Sequence, residues 1–486
     1  MKVSINKNYT IRNEKNCSYV IYSGSLIHAK AVPGPLVMTI PSFLGFLLSQ
    51  FQGDEYKESV AKTAQLLGVT PDKIRCITDK LVENNSPYIS MLGEQTIYLP
   101  KDMLVKSDHV TKVYTTDNAT PGDEYVPHRI GVPAYMSIMI TSKCHTNCIY
   151  CYADRSRPDD MNTETILKLI DEAHQIGVVT ALVSGGDIFS NHDWRLILKC
   201  LSDYDYHPVL STKVPLTEDD VAFLISIGVN EIQFSIDTLT PEVATRQLRV
   251  MGPTYIKRME QTLDACERLG LPFNVKSVIT KWNGNLDNFR YMYAFFSKMQ
   301  QIRSWNVVPA FCSNFREDYA TYQPSQGSLL AIKAYLEGLH TRFILYTSKL
   351  EEKTEPQKKY QTAEEYARRN KICAANTYSM GILSNGKATV CEMLYYNPRF
   401  YIGDIQEQSL SSIWNSKKAL DLFNFNQQVE NMESACHTCK VMEKCKKGMK
   451  KRFCLADVIN SYGEDKWDYP DPRCPEAPQC DIEKIM

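Results

Sequence analysis

A chain of 486 residues is too long for one compact core, so two to four domains are expected. Its 43% hydrophobic and 23% charged residues suit a globular protein, and a net charge of −1 leaves no basic excess for nucleic acid and no polybasic block for a membrane surface. The opening run from Met1 to Asn8 lacks the apolar core of a signal peptide, and nowhere do about 18 apolar residues run unbroken. A cytoplasmic protein without a membrane span is therefore expected. Sixteen cysteines are the anomaly, because a reducing compartment disfavours disulfides and clustered spacing points to metal. Three lie at 144–151 and eight between Cys373 and Cys480. Cys17, Cys76, Cys200, Cys266 and Cys312 fall in apolar or helical patterns and read as small buried hydrophobes.

Residues 1–104 hold no clustered cysteines and read as a separate small domain. Cys17–Ser23 and Ser25–Val32 read as two strands joined at Gly24. Helices are expected near Ser42–Phe51, Glu55–Leu67 and Thr70–Glu83. The last opens on Thr70-Pro71-Asp72, an N-cap followed by proline at the first helical position, and Ile74, Ile77, Leu81 and Val82 share one face. Pro87–Met91 and Gln95–Leu99 read as a closing hairpin around Gly93-Glu94. Strands, three helices and a hairpin make a winged-helix-like unit. It lacks a concentrated basic helix, which argues against DNA binding.

Residues 105–132 are polar and read as a linker. From 133 to 347 the pattern alternates between strand and helix. Strand-like runs are Tyr135–Thr141, Val179–Ser184, Pro208–Thr212, Glu231–Ile236, Phe273–Ile279 and Trp305–Ala310. Amphipathic helices such as Thr163–Ile176, Thr217–Ile227 and Thr254–Leu269 lie between them. Such alternation implies an α/β fold with a parallel sheet and right-handed crossovers, too short for eight strands. Chemistry then belongs at the carboxyl ends of the strands. Residues 348–372 form a charged linker, and a cysteine-rich domain fills 373–486.

Directly after the first strand of that alternation stand Cys144, Cys148 and Cys151, a C-x3-C-x2-C run with Tyr150 before its last cysteine. Three thiolates on one loop hold three irons of a cubic four-iron cluster and leave the fourth open to a small molecule, whereas ferredoxin-type sites close all four. Zinc is the alternative, though its ligands usually come as paired motifs. After the second strand, Gly185-Gly186-Asp187 offers backbone that a ligand can approach closely, and a carboxylate for a cationic amine.

The cysteine spacing and Tyr150 resemble the cluster motif of the radical S-adenosylmethionine (radical SAM) enzymes. The resemblance implies a partial (β/α)6 barrel, with Gly185, Gly186 and Asp187 at the methionyl amine of S-adenosylmethionine. It puts Arg249 on the cofactor's carboxylate, for which a forked guanidinium is apt. Ser211 and Lys213 close the third strand and Ser235 and Asp237 the fourth, where hydroxyls reach a ribose; ordinary caps or turns are the alternative.

The tail resembles the SPASM extension, which carries two auxiliary four-iron clusters. The resemblance gives Cys436, Cys439, Cys445 and Cys474 to the distal cluster and Cys373 and Cys391 to the nearer one. The family's next cysteine position is Met449 here, so Cys454 is the substitute ligand, with Cys480 or an open iron as alternatives. A treble-clef zinc site at 436–445 is the rival. Glu392 follows Cys391, where sulfatase-maturing relatives have an aspartate base; a solvated glutamate is the alternative.

A recognition-like domain ahead of such an enzyme resembles the maturases of ribosomally made peptides, in which a leader peptide adds a strand to that domain. The implied activity is abstraction of a hydrogen by a 5′-deoxyadenosyl radical, followed by an intrapeptide C–S or C–C cross-link. It implies S-adenosylmethionine, three [4Fe-4S] clusters, a precursor peptide with a leader, and an external reductant of flavodoxin or ferredoxin type. Anaerobic oxidation of a protein Cys or Ser, as in sulfatase maturation, is an alternative. So is a multi-cluster electron-transfer or peptide-binding protein without catalysis. Replacing Cys144, Cys148 and Cys151 together by Ala should abolish reductive cleavage of S-adenosylmethionine while sparing the tail. Release of 5′-deoxyadenosine by the anaerobically reconstituted triple variant would refute the assignment.

Overall fold

The computed structural model describes residues 1–24, 35–92, 95–122, 125, 126, 128–154, 160–313, 315, 316, 318–351, 360–368, 373–424, 431–442, 445 and 454–480. The chain divides into two compact units. The first is 1–136 with 173–180 and 377–379; the second is 137–172, 181–376 and 380–486.

The first unit opens with strands β1 (Lys2–Ile5), β2 (Tyr9–Glu14), β3 (Cys17–Tyr22) and β4 (Val37–Ile40). Helix α1 (Ser42–Leu48), β5 (Gln52–Glu55), α2 (Tyr56–Leu67) and α3 (Pro71–Thr78) follow. Strands β6 (Tyr88–Leu92), β7 (Gln95–Leu99), β8 (Leu104–Val105) and β9 (Val113–Thr115) complete it. The partner of β3 is β2, joined by a tight turn in which Asn16 takes φ 66°, a conformation asparagine tolerates. The expected strand Ser25–Val32 falls on residues 25–34, outside the described residues, as does the turn Gly93-Glu94. The sheet runs β4-β3-β2-β9, and α1 lies against it so closely that a Cβ on Gly45 would come within 2.1 Å of Ser18 Oγ. The third helix stops at Thr78, five residues before the expected end, and Thr70 makes no side-chain cap bond. Proline at the first position starts it instead.

The stretch 105–132 does not behave as a free linker. β9 pairs in parallel with β2, and the buried Thr111 hydroxyl donates to Ile5 O at 3.0 Å. A three-residue strand is too short for alternation to register in so polar a segment.

The second unit carries a β–α succession: β10 (Tyr135–Thr141), α4 (Thr163–Gln175), β11 (Thr180–Gly185), α5 (Trp194–Asp203), β12 (Ser211–Thr212), α6 (Glu218–Ser226) and β13 (Ile232–Ser235). It continues with α7 (Pro241–Leu248), α8 (Gly252–Leu269), β14 (Phe273–Ile279), α9 (Leu286–Phe296), β15 (Ile302–Pro309), α10 (Gln326–Glu337) and β16 (Ile344–Tyr346). Strands β12 to β16 form one parallel sheet in chain order, each step crossed by helix. β16 is a strand the sequence did not announce, and β12 keeps only two of five expected residues. The tail adds α11 (Ala363–Ala367), β17 (Ser379–Ile382), β18 (Lys387–Thr389), β19 (Tyr401–Asp404), α12 (Leu410–Trp414), α13 (Lys417–Asn424) and α14 (Leu455–Tyr462). A second sheet has the order β11-β10-β17-β18-β19.

Under the parallel sheet lies an aromatic core. Trp305 is fully buried, stacks on Phe289 at 5.8 Å between centroids, meets Phe296 edge-on at 5.2 Å, and donates from Nε1 to Ser277 Oγ at 2.9 Å. Trp305→Ala should cost about 3–5 kcal/mol. The measurement is a lowered urea midpoint followed by circular dichroism; an unchanged midpoint would contradict this account of the core.

Candidate active site and metal centres

The loop after β10 places Cys144 and Cys151 half-exposed and Cys148 buried. Thr146 Oγ1 stands 3.3 Å from both the Cys144 and Cys148 sulfurs. Asn147 N donates to Leu248 O at 2.9 Å and Ile149 N to Gln247 O at 3.0 Å, which pins the loop to the end of α7. Ser313 Oγ holds Cys151 O at 2.7 Å. Burial pushes the Cys148 thiol up to about 11, so its thiolate needs a cation or a metal to persist.

Gly185 and Gly186 prove to be close-approach residues of another kind. A Cβ on Gly186 would sit 2.0 Å from Lys143 O, and one on Gly185 2.3 Å from Thr141 O. They let the end of β11 press against the backbone that launches the cysteine loop. Asp187 next to them is buried and caps the turn Ile188–Ser190 through Phe189 N at 3.2 Å. It also accepts Thr212 Oγ1 at 2.8 and 2.9 Å and Lys213 N at 2.9 Å. Burial raises its pKa, opposed by these donors and by the charge of Lys213.

Tyr150, Lys213 and Asp237 come together beside the cysteines. The Tyr150 hydroxyl donates to Asp237 Oδ2, Val278 N donates to Oδ1 at 2.8 Å, and Lys213 Nζ lies 3.8 Å from Oδ2 and 5.6 Å from the Tyr150 ring centre. Burial works against the Lys213 charge, yet Asp237 and the three cysteines hold its pKa above the usual lysine value. Ser235 is half-buried at the end of β13. Ser211 is exposed, its Oγ accepting Gln233 Nε2 at 2.7 Å, and Arg249 is exposed at φ 54° where α7 ends. Tyr255 went unnoticed in the sequence because it sits in an apolar helix face. It is 7% exposed, its hydroxyl meets no hydrogen-bond partner among the described residues, and with His145, Thr146 and Lys213 it lines a cavity.

Glu392 is half-buried and takes hydrogen bonds on Oε2 from Ser137 Oγ of β10 and from Ser184 Oγ of β11, the latter at 3.2 Å. Neither serine carried a sequence signal. Phe311, Tyr152, Tyr395 and Phe315 form a run of rings nearby, with successive centroids 6.1, 6.4 and 5.5 Å apart.

In the tail, Cys436, Cys439, Cys445 and Cys474 line one cavity together with Tyr366, Pro470 and Asp471. Burial, then the other three cysteines, push the Cys474 thiol up to about 12. Burial pushes Cys391 up to about 12 and Cys454 higher still, with Cys373 adding to both, so those three thiols are neighbours. Met449 lies outside the described residues; Cys480 stands beside Tyr462. Among the described residues no three His, Cys, Asp or Glu converge on a single metal ion. Thiolates of a four-iron cluster each take a different iron, so a ring of cysteines around a cavity fits a cluster.

Among the described residues no helix is long and apolar enough to cross a membrane. Residues 138–295 match the radical SAM superfamily model and residues 373–440 that of SPASM, an iron–sulfur cluster-binding domain. The chain is 24% identical over 350 residues to a PqqA peptide cyclase of Granulibacter bethesdensis, covering 70% of this chain and 86% of that protein. It is 28% identical over 162 residues to a probable GTP 3',8-cyclase of Methanothermobacter thermautotrophicus, covering 32% of this chain and 52% of that one. Its fold is similar to that of Streptococcus suis SuiB bound to precursor peptide SuiA, with a TM-score of 0.58, 13% identity, and coverage of 96% and 98%. The cysteine loop lies in the first matched segment and Cys373, Cys391, Cys436 and Cys439 in the second, so the chain carries a radical SAM domain followed by a SPASM iron–sulfur domain.

Proposed function

We propose that this enzyme cross-links a ribosomally made precursor peptide through a thioether or carbon–carbon bond. The observation that carries the reading is Glu392, adjacent to Cys391 and hydrogen-bonded to the two strands that flank the cysteine loop. Cys144, Cys148 and Cys151 would hold a four-iron cluster, which when bound would supply the electron for cleaving S-adenosylmethionine to methionine and a 5′-deoxyadenosyl radical. Lys213 and Asp237 fix the charge beside those cysteines, and Tyr150 packs beneath Lys213. The backbone of Ser184 to Asp187 receives the cofactor's amine, while Asp187 itself, spent on Thr212 and Lys213, shapes that backbone. Arg249, Ser211 and Ser235 complete the cofactor set in this reading.

The four-ring wall offers apolar surface to a peptide side chain, and Glu392 accepts on its carboxylate the proton that substrate oxidation releases. The tail cysteines hold two auxiliary clusters, Cys373, Cys391 and Cys454 the nearer and Cys436, Cys439, Cys445 and Cys474 the distal. Such a cluster would supply an acceptor for the surplus electron. The whole architecture then reads as a winged-helix-like recognition domain, a partial (β/α)6 barrel and a SPASM domain, served in the cytoplasm by a flavodoxin- or ferredoxin-type donor. The relatives support a peptide substrate: one is named a peptide cyclase, and SuiB is seen with its precursor peptide.

Glu392→Gln keeps the shape of the side chain and removes the base. This variant should still release 5′-deoxyadenosine but yield at least tenfold less peptide lacking two hydrogens, read by mass spectrometry. Undiminished product would remove Glu392 from the mechanism.

Leader recognition is assigned to the first unit. The hairpin β6–β7 pairs with no other strand among the described residues, and β6 exposes Ile89, Met91 and Leu92 at 63, 62 and 41%. An open edge with apolar side chains is what strand addition uses. Ile89→Asp with Met91→Asp should raise KM for the full precursor roughly tenfold or more and leave kcat unchanged. An unchanged KM would place the leader elsewhere.

A further inference from the structure

The tail sets one half-buried cation against two buried carboxylates that no step above employs. Arg473 Nη2 donates to Asp457 Oδ2 at 2.6 Å, and Nη1 donates to Asp471 Oδ1 and Oδ2 at 3.2 and 3.3 Å. Asp457 is 2% and Asp471 4% exposed. Desolvating three charged groups is costly even when they pair, so such a triad is weakly justified by stability alone.

Its neighbours are the cysteines of both tail groups. Asp457 lies in the first turn of α14, whose N-cap is Cys454. That helix packs against the turn Glu392–Leu394, which begins at Cys391. Asp471 Oδ2 accepts Cys454 N at 3.3 Å, while Asp471 O accepts Cys474 N at 2.8 Å. Asp471 also lines the cavity of Cys436, Cys439, Cys445 and Cys474. Arg473 itself directly precedes Cys474. One set of charges therefore adjoins both groups.

We propose that Arg473 is a positioning residue that sets the reduction potentials of both tail clusters through the shared triad Asp457–Arg473–Asp471. The proposal rests on the reading that both cysteine groups hold iron–sulfur clusters. Reducing a cluster adds negative charge inside the protein. A half-buried guanidinium nearby favours the reduced form and a buried carboxylate opposes it, the carboxylate most strongly because little water screens it. The forked geometry also holds the two carboxylates at fixed distances from the ligands, which lysine does not reproduce.

The test is a potentiometric titration of the full-length, anaerobically reconstituted enzyme, followed by electron paramagnetic resonance, with iron counted in each variant. Arg473→Met should shift the midpoints of both tail clusters to more negative values and leave the cluster on Cys144, Cys148 and Cys151 unmoved. Asp457→Asn should shift the nearer cluster in the opposite direction, and Arg473→Lys should recover part of the Arg473→Met shift. Opposite signs are what a merely structural role does not produce. Unchanged midpoints at full iron content, or shifts of the same sign in Arg473→Met and Asp457→Asn, would overturn the proposal. Should Arg473→Met lose iron, Asp457→Asn decides, and an unmoved midpoint there overturns it. A wild-type tail free of iron overturns the cluster reading first and this proposal with it.

Discussion

Strands β11 and β12 belong to different sheets, and no ladder bond joins them. A single buried carboxylate spans that break. Asp187, one residue beyond the Gly185-Gly186 pair, accepts the Thr212 hydroxyl and the Lys213 N–H at the end of β12 and the Phe189 N–H of its own turn. Its desolvation is offset only because these donors converge, and removing them would leave a buried charge without support. The position of Lys213, and through it the charge facing the cysteine loop, follows from that one junction.

A second carboxylate repeats the device beyond β13. Asp237 binds the Tyr150 hydroxyl of the cysteine loop and the Val278 amide of β14, and its own carbonyl accepts Asn283 Nδ2 at 2.8 Å. Two aspartates, just beyond β11 and β13, thus turn a sheet edge, where backbone pairing stops, into a rigid rim. A site on such a rim is more precise than one on a free loop. The metal centres follow a different logic. Burial raises the thiols of Cys148, Cys391, Cys454 and Cys474, so an unliganded thiolate there is disfavoured and ligation relieves the strain.

Much of the second unit was legible along the chain. Tyr135–Thr141 and Phe273–Ile279 are strands with the expected bounds. The first unit was harder. β1, β4, β5, β8 and β9 are short, and β2 buries Thr10, Arg12, Asn13 and Glu14, polar residues of which Asn13 reaches Ser49 and Thr115, far away in sequence. Arg12 and Glu14 pair with each other at 2.8 Å, and Glu14 also takes Gly131 N at 3.0 Å.

The site divides along the same line. Local spacing determined the cysteine loop, the Gly185-Gly186-Asp187 turn and the Cys436-to-Cys445 run, because a cluster or a tight turn needs its residues within a few positions of one another. Only the tertiary structure decided that Asp187 spends its carboxylate on β12, that Ser137 and Ser184 meet Glu392, and that Cys454 lies with Cys373 and Cys391. It also brought Asp457, Arg473 and Asp471 together between the two tail groups. Those partners are separated by up to 255 residues. Hydrogen bonds and ion pairs across such distances leave no period or spacing in a sequence, and folding alone assembles them.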